Sequence, residues 1–108
     1  MVRTASQNKQ SINAQAFMDV DRIIHEPARL AIVAVLASCE SADFVYLRNA
    51  TNMTQGNLSA HLGKLEEAGY VEIEKRFQGK KPNTLCRLND AGRTAFKQYR
   101  AQVAKLVG

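Results

Sequence analysis

A short segment between Thr54 and Gly69 constrains the fold of this chain more than any other part of it. Leu58, Leu62 and Leu65 lie four and three residues apart, so that all three side chains share one face of a helix. Thr54 is a suitable N-cap, because its hydroxyl can accept hydrogen bonds from the free amides of the first turn. Gly69 suits the left-handed residue that ends a helix. The pattern predicts a helix whose leucines pack on a core.

The face of this helix opposite the leucines has an unusual composition. It carries Gly56, Ala60, Gly63 and Glu67, although each glycine costs about 1 kcal/mol of helix stability relative to alanine. Small side chains let a helix backbone approach another surface closely, and the DNA major groove is a surface that admits a helix. A loosely specified surface helix is the alternative. The polar residues that flank this face are Asn57, Ser59 and Lys64.

Two helices are predicted ahead of this segment, after an apolar stripe near the N-terminus. Residues 12–24 carry apolar side chains at helical spacing. This apolar stripe would pack either on the core of its own chain or on a second subunit. Pro27 suits the first position of a buried helix, since its missing N–H would be unpaired there anyway. Asp43 can cap the next helix and Asn52 can stop it, although Phe44–Tyr46 is an alternative short strand.

Two strands and a final helix are predicted after Gly69. Val71 and Ile73 alternate with acidic residues, as in a half-buried strand, and a turn and the strand TLCRL follow. Five basic residues and no acidic one lie between Lys75 and Arg87, which favours phosphate or minor-groove contact over a solvated loop. The final helix carries an apolar seam at 3, 4, 3 spacing, formed by Phe96, Tyr99, Val103 and Leu106.

Length and composition narrow the class of protein. A chain of 108 residues forms one domain with a modest core, and a net charge of +5 favours a polyanionic partner. Cys39 and Cys86 are far apart and match no metal-binding spacing, so we expect reduced thiols in a cytoplasmic protein. The N-terminal residues lack the apolar core of a secretory signal, and no apolar run approaches the ~20 residues that span a membrane.

The predicted order of elements is that of a winged helix-turn-helix domain. The chain also resembles the small winged-helix transcriptional regulators related to the MarR and ArsR families over about two thirds of its length. The segments that carry the resemblance are DRIIHEPARLAIVAVL, NLSAHLGKLEEAGYVEIEK and GKKPNTLCRLNDAG. The expected fold is therefore α+β and mostly α, with a two-stranded basic β-hairpin wing and with dimerisation helices at both termini.

The resemblance implies a homodimer that binds double-stranded DNA through the leucine-spaced helix and the wing. The base-facing candidates are Gln55, Gly56, Asn57, Ser59, Ala60 and Lys64. The phosphate-binding candidates are Thr54, His61, Lys75, Arg76, Lys80, Lys81 and Arg87. The dimer-interface candidates are Ile12, Phe17, Val20, Phe96, Tyr99, Val103 and Leu106.

The domain expected from these assignments covers residues 12–108, after a flexible tail at 1–11. Within it we expect the recognition helix at 54–68, the wing at 71–88 and the C-terminal helix at 90–107. We expect no enzyme activity, metal or cofactor, because no nucleophile motif, converging carboxylate pair or phosphate-binding glycine loop is present. Two alternatives stay open: a winged helix used only for protein–protein contact, and a ligand- or redox-switched sensor of the same fold.

Overall fold

The structure, a computed structural model, describes residues 18–107. Its order of elements is helix, strand, two helices, two strands and a long helix. The elements are α1 (Pro27–Ala37), β1 (Ala42–Asp43), α2 (Phe44–Thr51), α3 (Gln55–Glu67), β2 (Val71–Gln78), β3 (Lys81–Leu88) and α4 (Asp90–Val107). The α+β winged-helix fold predicted from the sequence is confirmed.

Local capping explains where the helices begin and end. The Asp43 carboxylate accepts from the Tyr46 amide at 2.7 Å, and the Thr54 hydroxyl accepts from the Asn57 amide at 3.2 Å. Asn52, with φ 56°, ends α2 in the left-handed conformation. Each of these was predicted as a cap or a stop. Pro27 occupies the start of α1 as expected, but the N-cap before it is Glu26, which was not predicted.

The end of α3 is also closed by hydrogen bonds to the backbone. Gly69 has φ 83°, and the Tyr70 amide donates to the Leu65 carbonyl at 3.0 Å, which completes a Schellman-type ending. The Asn89 side chain then joins this end of α3 to the start of α4. Its amide donates to the Gly69 carbonyl at 2.8 Å, and its carbonyl accepts from the Gly92 amide at 2.8 Å. These bonds fix the wing relative to α3 and α4.

The sheet has three antiparallel strands in the order β1-β3-β2, one more than the two-stranded wing predicted. The hairpin pairs Val71 with Leu88 at its base and Gln78 with Lys81 at its tip. Gly79 supplies the positive φ of 66° that the tight turn needs. The added strand β1 consists of two residues that pair with β3. Two residues are too few to form a periodic pattern, and the alternative strand at Phe44–Tyr46 is wrong, since Phe44 begins α2.

The main core lies where α1, α2 and α3 pack on the base of the sheet. The three leucines of α3 are buried as predicted, with exposed fractions of 0%, 2% and 0% for Leu58, Leu62 and Leu65. Cys86 faces this core and is fully buried. Helix α1 contributes Ile32, Val33 and Leu36, whereas Ala34 is exposed.

A second apolar cluster joins the segment before α1 to α4. Val20 and Ile24 pack with Tyr99 and Leu106. The predicted helix over 12–24 is wrong in its described C-terminal part, because residues 19–24 form turns. The Asp21 carboxylate accepts from the amides of residues 23 and 24 at 2.8 and 3.1 Å and so competes with helical hydrogen bonding. The predicted tail at 1–11, and the earlier part of that helix with Ile12 and Phe17, lie outside the described residues.

Candidate nucleic-acid interface

The outward face of α3 is uncovered. All six base-facing candidates, and Gly63 with them, are exposed, while the leucines behind them are buried. A Cβ added at Gly56 or at Gly63 would meet no atom within 4 Å. The glycines are therefore not required for packing within the described part of the protomer. Their small size leaves the helix backbone accessible to another molecule.

An open groove of about 620 Å³ separates α3 from the wing. Gln55, Ser59 and Gly63 form its helix side, and Lys75 and Thr84 form its wing side. These residues bring hydroxyl, amide and ammonium groups close to the exposed edge of α3. The remaining lining residues, mostly apolar, are Phe44, Leu62, Glu66 and Ile73.

Two of the predicted phosphate-binding arginines pair with carboxylates on the wing itself. Arg76 Nε donates to Glu74 Oε2 at 2.8 Å. Arg87 Nε donates to Glu72 Oε1 at 3.2 Å, and its Nη1 donates to Glu74 Oε1 at 3.3 Å. Hydrogen bonds from Arg76 and then from Arg87 hold the pKa of Glu74 below its usual value. Arg76 and Arg87 are therefore paired within the wing, and their contact with phosphate stays a prediction.

Three lysines of the wing carry its available positive charge. Lys75, Lys80 and Lys81 are exposed and take part in none of the ion pairs found among residues 18–107. Only three of the five basic residues of the wing therefore carry a positive charge that no ion pair within the described range offsets. Lys75 lines the groove, whereas Lys80 and Lys81 lie at the tip of the hairpin.

His61 is directed away from the exposed face of α3, towards the start of α1. Its side chain is only 24% exposed, and its Nδ1 lies 3.3 Å from Arg29 Nη1 and 4.0 Å from Glu26 Oε1. This cluster joins α3 to the first turn of α1. These contacts favour a packing and hydrogen-bonding role for His61, and its contact with phosphate stays a prediction. Thr54 remains exposed beside the groove, with its hydroxyl oxygen accepting the capping bond.

Several residues predicted at the dimer interface are buried within their own chain. Val20, Tyr99 and Leu106 are only 5%, 6% and 8% exposed within a single protomer. Because their surface is already covered by their own chain, they are corrected to core residues. Phe96 and Val103 are partly buried and keep some surface on α4.

The family of the chain follows from a match over most of its length. Residues 28–107 match a family model described as "Winged helix DNA-binding domain". The chain belongs to this winged-helix family. This winged-helix protein is also 38% identical, over 85 residues, to an uncharacterized protein of Methanocaldococcus jannaschii, a match that covers 79% of this chain and 92% of the relative.

Two solved structures resemble this winged-helix protein. A transcriptional regulator homologue from Pyrococcus horikoshii OT3 is 26% identical, with a TM-score of 0.79 over 86% of this chain and 91% of that one. A MarR-like transcription regulator from Bacillus cereus is 20% identical, with a TM-score of 0.66 over 86% and 69% of the two chains, and this likeness supports the fold alone. The resemblance to winged-helix transcriptional regulators that the sequence predicted is confirmed. This winged-helix protein therefore contains a DNA-binding domain of the winged-helix type.

We found no metal site or activated thiol in the described part of this winged-helix protein. No group of three metal-binding side chains occurs in residues 18–107. Burial raises the pKa of the Cys86 thiol to about 11, with Asp43 and Glu66 adding to the shift. A thiol of such a high pKa is a poor nucleophile. No helix in the described range is long and apolar enough to cross a membrane.

The carboxylate partners of the wing arginines were not predicted, although the sequence carried a signal for them. In an antiparallel hairpin the turn fixes the register, so counting outward from Gly79 places Glu72 opposite Arg87. The groove between α3 and the wing had no such signal, because it is formed by residues that are separated in sequence and joined only by packing.

Proposed function

We propose that this protein is a sequence-specific regulator that places α3 in the major groove of duplex DNA and its wing on the adjacent backbone or minor groove. One observation carries the proposal. The small-residue face of α3, with Gly56 and Gly63 open to the surroundings, is supported from behind by buried leucines. Asn57, whose side chain type can pair with an adenine edge, lies on the exposed side.

The positions of the charges support the same arrangement. Lys64 lies at the edge of α3, Lys75 on the wall of the groove, and Lys80 and Lys81 at the tip of the wing. Each supplies an ammonium group suited to a phosphate. A module that bound only proteins would have no need for lysines at both the helix edge and the hairpin tip.

We also propose that the protein acts as a homodimer through its terminal regions. The available apolar surface on α4 includes part of Phe96 and Val103, and two related half-sites would then be about 34 Å apart on the DNA. Light scattering at micromolar concentration tests this directly. A molar mass equal to that of one chain would contradict the homodimer, and α3 and the wing would then bind DNA as a monomer.

Selection of bound duplexes from a random pool tests the proposed function most directly. We expect a palindromic consensus, because two α3 helices related by a two-fold axis read inverted half-sites. Recovery of sequences without any consensus, bound only through salt-sensitive contacts, would contradict base recognition. The double variant Gln55→Ala, Asn57→Ala is the control, since it removes polar groups from α3 and leaves the buried leucines in place.

A further inference from the structure

The end of the wing exposes an aromatic side chain that core packing does not explain. Phe77 is 74% exposed, more than any other large hydrophobic residue in the described part of the chain. Its cross-strand partner is Pro82, which is exposed as well. Two apolar side chains therefore lie side by side at the outer end of a hairpin, where polar residues are usual.

Strand alternation shows which side of the sheet this pair occupies. Val71, Ile73, Lys75 and Phe77 alternate along β2 and share one face. Val71 is buried in the core, and Ile73 and Lys75 line the groove beside α3. At roughly 3.3 Å per residue, Phe77 lies about 13 Å beyond Ile73 along the same face. Phe77 therefore faces the side of the domain on which α3 exposes its glycines.

The charges around this pair point to a phosphate-rich partner. Lys75 precedes Phe77 on the same face, and Lys80 and Lys81 follow it around the turn. None of these lysines takes part in an ion pair within the described range. The paired carboxylates Glu72 and Glu74 alternate with this face, so they lie on the other side of β2. An apolar pair bordered by lysines matches the sugar walls and flanking phosphates of a DNA minor groove.

We propose that Phe77 and Pro82 form an apolar wedge that enters the minor groove next to the site of α3. This inference deepens the proposed function and rests on it. Phenylalanine and proline are among the side chains that architectural proteins insert at a base step, where they unstack the bases partially and kink the duplex. Lys75, Lys80 and Lys81 hold the phosphates on either side, so the wedge sets the position of the wing along the groove.

Footprinting of the full chain on the duplex selected from the random pool tests the wedge. Dimethyl sulfate reports guanine N7 in the major groove, and hydroxyl radicals report deoxyribose in the minor groove. We expect Phe77→Ala to weaken binding roughly tenfold, to lose hydroxyl-radical protection beside the α3 site, and to keep the dimethyl sulfate protection. Phe77→Leu, which keeps an apolar body, should retain most of the affinity. Val45→Ala, which truncates another exposed apolar side chain on α2, is the matched control.

The two footprints distinguish a wrong wedge hypothesis from a wrong proposed function. An unchanged affinity and minor-groove footprint for Phe77→Ala would overturn the wedge while α3 remained a base reader. Absence of major-groove protection in the unmodified protein would overturn the proposed function itself. If Phe77 packs against a second copy, Phe77→Ala would change the sedimentation of the free protein and leave both footprints unchanged, which also overturns the wedge.

Discussion

Arg87 lies directly across the hairpin from Glu72, and its Nε donates to the Glu72 carboxylate at 3.2 Å. Glu74 takes part in the same cluster and receives bonds from both Arg76 and Arg87. The outer face of the wing therefore carries arginines paired with carboxylates, whereas Lys75, which lines the groove, takes part in no ion pair found among residues 18–107. We expect this difference to affect which basic residues reach phosphate.

Removing the carboxylates should release the two arginines for DNA. We expect the double variant Glu72→Gln, Glu74→Gln to bind all duplexes more tightly and to steepen the dependence of log K on log salt by up to about 2. Exposed ion pairs contribute little to folding, so the thermal midpoint should change little. Glu40→Gln, at an exposed site outside the wing, controls for the change in charge. A salt dependence equal to that of the unmodified protein would show that Arg76 and Arg87 stay away from DNA.

The lysines at the tip of the wing should behave in the opposite way. Lys80→Ala with Lys81→Ala is expected to weaken binding to cognate and random duplexes alike and to flatten the salt dependence by about 2, since each phosphate contact contributes about 0.9. Titrations by fluorescence anisotropy at several salt concentrations measure this. Lys97→Ala, on the exposed surface of α4, should leave the slope unchanged. An equal effect of Lys97→Ala would point to net charge and not to contact by the wing.

Asn57 should contribute to sequence discrimination more than to general affinity. Asn57→Ala removes the side-chain amide but keeps the backbone amide that donates to Thr54, so the helix cap is preserved. We expect a loss of about 1–3 kcal/mol on the selected duplex and almost none on a random duplex. Competition binding with both duplexes measures the difference. Equal losses on the two would exclude base recognition by this residue.

The glycines divide into two classes that alanine substitution distinguishes. A Cβ at Gly92 would collide with the Tyr70 carbonyl oxygen and the Leu88 side chain, so Gly92→Ala should lower the free energy of unfolding by about 3 kcal/mol. A Cβ at Gly63 meets no atom within 4 Å, so Gly63→Ala should raise it by about 1 kcal/mol. Urea denaturation measures both changes.

If DNA approaches the helix backbone closely at Gly63, the stabilised Gly63→Ala protein should nevertheless bind the selected duplex more weakly. Unchanged or tighter binding would remove Gly63 from the contact surface. Gly56→Ala, at the other open glycine of α3, tests the same point at the beginning of the helix.

Tyr70 should make stability depend on pH in the alkaline range. Its hydroxyl donates to Asp21 Oδ2 at 2.5 Å. That hydrogen bond, with burial and the Asp21 charge, raises the pKa of Tyr70 from 10.0 to about 12. Between these values the unfolded chain loses the proton first, so the folded state binds more protons and its stability falls as pH rises. Below pH 10 the stabilisation is complete.

The variant Tyr70→Phe should have a free energy of unfolding that is about 1 kcal/mol lower at pH 7. Its stability should not show the alkaline fall that ionisation of Tyr70 causes. Absorbance titration near 295 nm should also lose its highest tyrosine transition. Tyr46→Phe, whose ring is 57% exposed, is the matched control. A titration of Tyr70 near 10 would contradict the hydrogen bond to Asp21.

The sequence alone determined the helices and their ends, because caps, glycine stops and leucine spacing act within a few residues of the chain. It therefore predicted α3, the three buried leucines and the hairpin. Residues 19–24 were predicted incorrectly, since apolar spacing does not register the amides that Asp21 captures. The strand β1 was missed because its stability comes from a partner more than 40 residues away.

Only the tertiary structure decided which candidate side chains are available. The sequence predicted His61 at the DNA surface and Tyr99 at a dimer interface. In the structure His61 packs against the start of α1, and Tyr99 is buried in the second apolar cluster. Arg87 is basic in sequence, yet the strand register places the Glu72 carboxylate within hydrogen-bonding distance of it. The physical reason is the same in each case. Local patterns fix the backbone, whereas burial and charge pairing depend on neighbours that only folding brings together.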